Sequence, residues 1–108
     1  MPKKLLHSAA TPTLVKERLR IWGRSIHQQR ITQKLRASDL CARMGISAAT
    51  LRRLENGDPG AGAGTFLTAL MVLGILDETA PQPDHALWSQ PTRRRVRTSA
   101  AGDADGDF

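Results

Sequence analysis

Arg52 and Arg53 stand side by side in the stretch ATLRRLENGDPG, from Ala49 to Gly60. On a helix they point about 100° apart. A guanidinium offers a planar fork of donors that suits a phosphate or the O6/N7 edge of guanine. Two alanines, Ala48 and Ala49, come just before Thr50, and the helix is stopped by Asn56-Gly57. A surface helix needs none of this, whereas a helix lying in a nucleic-acid groove can use all of it. An isolated arginine pair is more commonly a solvated face, so the neighbouring elements have to decide between the two readings.

No other chemistry competes. His7, His27, His85 and Cys41 are scattered, without the spacing of a zinc site. There is no Ser-His-Asp set, no paired carboxylates and no phosphate loop. The glycines of GAGAG follow a helix rather than a strand, so they do not suit a nucleotide cradle. The expectation is a protein that is not an enzyme and holds no metal or cofactor.

The apolar pattern supplies the elements. The expected class is all-α. Thr11-Pro12 reads as cap and first residue of a helix, with Val15, Leu19, Trp22 and Ile26 at helical spacing. Gly23 either kinks that helix or marks where two helices meet. Ile31 and Leu35 are still spaced to share a side. Ser38 is the expected cap of a second helix, SDLCARM, with Asp39 at the positive end of its dipole. Gly45 ends that helix, Ser47 caps a third from Ala48 to about Asn56, and Gly57 ends it. DPGAGAG is a flexible or tightly turning loop. Thr65 is read as the cap of a fourth helix, FLTALMVL, stopped by Gly74, and ILDETA gives one more short turn. Leu40, Met44, Leu51 and Leu54 can meet across the Gly45 turn, with Ile46 in the corner and a small, buried Cys41 where the helices cross. That is the specification of a helix-turn-helix, whose second helix enters a major groove.

The string LCARMGISAATLRRLENG resembles the helix-turn-helix of the lambda-repressor-like, Xre-type DNA-binding proteins. Its marks are Gly45-Ile46-Ser47, Thr50-Leu51 and Leu54-Glu55-Asn56-Gly57, and the resemblance covers about residues 20–76. It implies a compact four- to five-helix domain in which the third helix reads DNA. By position, Ser47, Ala48, Ala49, Thr50, Arg52, Arg53 and Asn56 become the DNA-binding residues. Family members often carry glutamine or arginine where this chain has Ala48 and Ala49, and a phosphate-binding glutamine where it has Ala37. Alanine can only touch a thymine methyl or let the backbone approach. Base readout therefore falls on Arg53, and Arg52 is left for a phosphate. Thr50 bonds a phosphate or only packs. Asn56 contacts the DNA backbone or merely ends the helix. Glu55 is read as structural, pairing with Arg43 or Arg30.

A narrower resemblance, to HipB-like antitoxins paired with HipA-type kinase toxins, rests on TLRRLENGDPGAGAG, ALMVLGILD and the later RRRVR. It implies a toxin protein as a second partner, besides double-stranded operator DNA and a second copy of the chain.

Bulk properties agree. The chain has 108 residues and a net charge of +6. Residues 1–35 carry +7 and residues 93–98 carry +4, flanking a nearly neutral middle, a balance that suits a polyanion. One cysteine allows no internal disulfide, and no apolar run is long enough for a membrane span or a signal peptide. The expected location is the cytoplasm. The expected organisation is an arm over 1–10, the helix-turn-helix domain over 11–80 and a Pro/Arg-rich flexible tail over 81–108. In that tail Trp88 either anchors a partner or folds back. Arg93, Arg94, Arg95 and Arg97 grip phosphates, fold on a partner, or are simply solvated. Phe66, Leu70 and Leu73 are either core or dimer surface.

Overall fold

The structure is a computed structural model and describes residues 10–89. It consists of α1 (Thr13–Thr32), α2 (Ala37–Met44), α3 (Ala48–Glu55), α4 (Ala63–Val72) and α5 (Leu76–Thr79). Short 3₁₀ turns occupy Pro59–Ala61 and His85–Leu87, and no strand occurs among the described residues. The class is all-α, as the apolar periodicity predicts. Expectations for the basic run Arg93, Arg94, Arg95 and Arg97, and for the first nine residues, lie outside the described residues.

One core unites the first four helices. Ile26, Leu40, Leu51, Leu54, Phe66, Ala69, Leu70 and Leu73 are buried. Each large member contributes about 1.5–3 kcal/mol by leaving water. Trp22 is half-buried and tilts against Phe66, with ring centroids 5.9 Å apart. Phe66, Leu70 and Leu73 therefore belong to the core. Leu67 and Met71, on the outer side of α4, remain exposed.

Several local expectations are corrected. α1 is one helix of 20 residues, not two meeting at Gly23. Its stripe is packed only in the middle: Leu19 and Trp22 are half-buried and Ile26 is buried, whereas Val15 is 45% and Ile31 49% exposed, because the two ends of this long helix project beyond the core. The helix also begins one residue late. Pro12 is still extended at ψ 145°, and its carbonyl accepts the first helical bond, from the Lys16 N–H at 3.0 Å.

Ser38 is not the cap of α2. Arg36 occupies that place, and the Asp39 carboxylate accepts its backbone N–H at 2.9 Å. A carboxylate three residues into a helix satisfies an orphan donor and complements the dipole together. Thr65 is not the cap of α4 either. Gly62 turns the chain into that helix at φ +88°, and its carbonyl accepts the Phe66 N–H. The loop before it is a tight turn, in which Asp58 Oδ1 accepts the Gly60 N–H at 2.8 Å.

Candidate nucleic-acid interface

α2 and α3 are held by a turn that only a few residue types can make. Gly45 takes φ +69°, where a side chain is strained. The Cys41 carbonyl accepts both the Gly45 N–H (2.8 Å) and the Ile46 N–H (3.1 Å), closing α2. Leu40, Leu51 and Leu54 fill the crossing, with Met44 and Ile46 half-buried around them. Cys41 is half-buried, not buried as expected: Leu40 takes the centre of the crossing, and Cys41 is left at its edge.

Ser47 starts α3. Its Oγ accepts the Thr50 N–H at 3.1 Å, and its hydroxyl donates to Thr50 Oγ1 at 3.1 Å. Thr50 thus accepts from Ser47 and keeps its own hydroxyl proton for another acceptor. Ser47→Ala removes the cap and is expected to cost about 1 kcal/mol, read as a lowered midpoint in urea with an unchanged slope.

The burial of Leu51 and Leu54 decides which face of α3 meets solvent. Ala48, Ala49, Arg52, Arg53 and Asn56 are all exposed on this single helix of eight residues and its cap. Arg53 has no acidic partner among the described residues. Arg52 and Asn56 lie on the flank toward α1, where they line an open groove with Arg20, Arg24 and Gln28. Asn56 also ends the helix, and its N–H reaches the Arg52 carbonyl at 3.1 Å. Sequence reasoning joins the α3 residues on one helix but misses this groove. The signal is present in Lys16, Arg20 and Arg24, which recur every four residues.

α3 is fixed against α1 by two devices. The first is polar. Arg30 Nε donates to Glu55 Oε2 at 2.8 Å, Arg30 Nη1 donates to the Leu35 carbonyl at 3.1 Å, and His27 Nδ1 lies 3.0 Å from Glu55 Oε1. Of the two partners foreseen for Glu55, Arg30 is the one it takes. Burial pushes the Glu55 carboxyl up, but the hydrogen bonds from Arg30 and His27 and their charges bring it below the usual carboxylate range. The Glu55 hydrogen bond raises Arg30, outweighing its burial. The second device is steric. A Cβ on Gly23 would stand 2.5 Å from the Leu54 carbonyl oxygen, and one on Gly57 would stand 2.7 Å from the Arg20 Cα. The α1 and α3 backbones touch at these two glycines.

The chain matches no family model, no curated protein and no solved structure.

What the site offers is donors. No group of three or more His, Cys, Asp or Glu that could hold a metal occurs among the described residues. No helix among them is long and apolar enough to cross a membrane. Away from α3, Trp88 is 56% exposed and meets His85 edge-on, with ring centroids 4.6 Å apart. Trp88 does not join the core cluster.

Proposed function

We propose that this chain is a sequence-specific DNA-binding regulator that acts as a homodimer and represses by occupying a promoter, its own among the candidates. The observation that carries this reading is the outer face of α3. Two buried leucines anchor it, two alanines clear its first turn, and Arg53 extends from it with no acidic partner among the described residues. The low profile of Ala48 and Ala49 lets the helix lie deep in a major groove, where Arg53 can take a guanine edge. Thr50, whose hydroxyl proton is left over by the Ser47 hydrogen bond, can donate to a phosphate from the N-terminus of α3. The resemblance to Xre-type proteins supports the same assignment.

Arg53 and Arg52 divide the work. Arg53→Ala is expected to relax sequence preference, by about 1–3 kcal/mol at the base pair it reads. Arg52→Ala is expected to weaken all duplexes alike. Competition binding with a specific and a random duplex separates the two, and equal loss of preference from both variants would refute the division.

Footprinting on DNA upstream of the gene, against random competitor at two salt concentrations, tests the reading as a whole. Two protected patches about 34 Å apart that persist at the higher salt support a dimeric regulator. Uniform protection that vanishes with salt leaves only generic binding.

A second reading is an antitoxin that neutralises a toxin protein, with DNA binding secondary. The exposed Trp88 on its His85 neighbour favours it, since tryptophan is enriched among interface hot spots. Trp88→Ala should then weaken partner capture and leave DNA affinity unchanged.

A further inference from the structure

Lys16, Arg20 and Arg24 recur at intervals of four on α1. Each step of four turns by only about 40° beyond a full circle, so the three Cα atoms run nearly in line over about 12 Å. Like charges at this spacing repel and weaken a helix. Little offsets them. Glu17 reaches Arg20 at 3.4 Å in an exposed pair, and neither Lys16 nor Arg24 has an acidic partner among the described residues. Exposed pairs of this kind contribute little.

The row is not isolated on a back surface. Lys16 and Arg20 line one groove with Asn56, Gly57 and Asp58 at the end of α3. Arg20 and Arg24 line the adjoining one with Arg52 and Asn56. The acids that border these grooves leave the row positive. Glu55 is committed to Arg30 and His27, whereas Asp58 and Glu78 keep their charge and, with Glu17, set three carboxylates against the four cations Lys16, Arg20, Arg24 and Arg52. The packing of α1 on α3 is fixed by the Gly23 and Gly57 backbones, so the row keeps its place beside the reading helix.

We infer that Lys16, Arg20 and Arg24 of α1, together with Arg52 of α3, form a track for the phosphodiester backbone of the same duplex whose major groove receives α3. This rests on the DNA-binding reading above and extends it to a second element. The track compensates for the alanines at the reading positions: it supplies affinity that is independent of sequence, while Arg53 supplies the preference. A row of single cations suits a chain of single negative charges at regular spacing, and its continuity with Arg52 places the anion on the DNA rather than on a separate partner.

The test compares two double variants that each remove two exposed cations. Arg20→Gln/Arg24→Gln empties the track. Arg18→Gln/Lys34→Gln removes the same charge from positions that line neither groove. Binding of each full-length chain to a random-sequence duplex is measured by fluorescence anisotropy over a range of salt, with thermal unfolding as a control for folding. The slope of log affinity against log salt should fall by about 2 for the track variant, at about 0.9 for each phosphate no longer neutralised, and stay near the parent value for the control. Base preference should be unchanged in both. Equal slopes for the two variants, in a chain that still binds DNA, overturn the track and leave the α3 reading intact. No binding of any duplex by the parent chain overturns both. Capture of a polyglutamate peptide that disappears only in the track variant, with an unchanged DNA slope, reassigns the row to an acidic protein.

Discussion

Gly23→Ala is expected to destabilise the domain by about 3 kcal/mol, at the upper end of overpacking costs, although it sits in the middle of a helix. On an isolated helix the same change is favourable by roughly 0.5–1 kcal/mol, because alanine loses less backbone freedom than glycine. Here the added methyl would lie 2.5 Å from the Leu54 oxygen, 2.7 Å from the Glu55 oxygen and 2.8 Å from the Gly57 nitrogen. All three are backbone atoms at the end of α3, and none can swing aside like the tip of a side chain. α3 must move off α1, opening the seam over Ile26 and Leu54. Gly57→Ala meets the Arg20 backbone at 2.7 Å and adds the strain of φ +73°. Gly64→Ala is the contrasting control: it lies within α4, takes no positive φ and meets nothing within 4 Å. It should stabilise by a few tenths to about 1 kcal/mol. Thermal unfolding reads the difference plainly, since about 3 kcal/mol lowers the midpoint of a domain this size by more than roughly 10 °C. A stabilised or unchanged Gly23→Ala would mean that α1 and α3 do not approach so closely.

The Arg30–Glu55 pair should show the second large effect. The two side chains retain only 11% and 15% of their exposure. Removing one partner leaves a mostly desolvated charge, which in fully buried pairs costs about 3–5 kcal/mol; the residual exposure lowers this to roughly 2–3. Glu55→Ala therefore strands Arg30 and also frees the guanidinium that bonds the Leu35 carbonyl from its anchored position. Replacing both residues with apolar ones, Arg30→Met/Glu55→Leu, should be less harmful than either single change, because no charge is left behind.

The same pair sets an acid limit. The folded-state carboxyl of Glu55 titrates below its unfolded value, because the Arg30 and His27 hydrogen bonds and charges outweigh burial. Its stabilisation is thus complete above the unfolded value of about 4.3 and is lost as pH falls through the lower folded value. Asp39, held low by its hydrogen bonds from Arg36, acts in the same direction, its contribution being lost as pH falls below about 3.9. Urea unfolding of the parent chain should weaken progressively below about pH 4.3. Glu55→Gln and Asp39→Asn should each flatten part of that slope, and an unchanged acid slope in Glu55→Gln would contradict the pairing.

On the proposed reading, both effects bear on DNA binding through position. α3 is two turns long and carries Arg53 in its second turn, away from the Ser47 cap. A small rotation about the seam with α1 would move Arg53 and Arg52 relative to each other's targets. Gly23, Gly57, Arg30 and Glu55 lie at the seam between α1 and α3, and they set where the outer face of α3 points.

The sequence by itself determined the class, the order of the helices and the turn between α2 and α3. These depend on short-range signals: apolar spacing of three and four, a Ser47 that bonds the Thr50 N–H, and a Gly45 that can take φ +69°. Such signals act within one or two turns of chain, so they can be read without a partner. It also determined that Arg52 and Arg53 leave α3 outward, because Leu51 and Leu54 must go in. Where alternatives for a local cap existed, at Ser38 and Thr65, the caps are Arg36, whose N–H the Asp39 carboxylate accepts, and Gly62, since several residues near a helix start can take that place. Tertiary structure alone decided the rest. Gly23 reads as a weak point in a helix until the α3 backbone lies against it, and Arg30 and Arg43 are equal candidates for Glu55 until the packing of α1 on α3 brings Arg30, 25 residues away, within 2.8 Å. The row of Lys16, Arg20 and Arg24 is visible as a spacing, but only the packing of α1 across the end of α3 puts it beside Arg52. Contacts between distant segments depend on how whole helices cross, and the spacing within a helix does not carry that information.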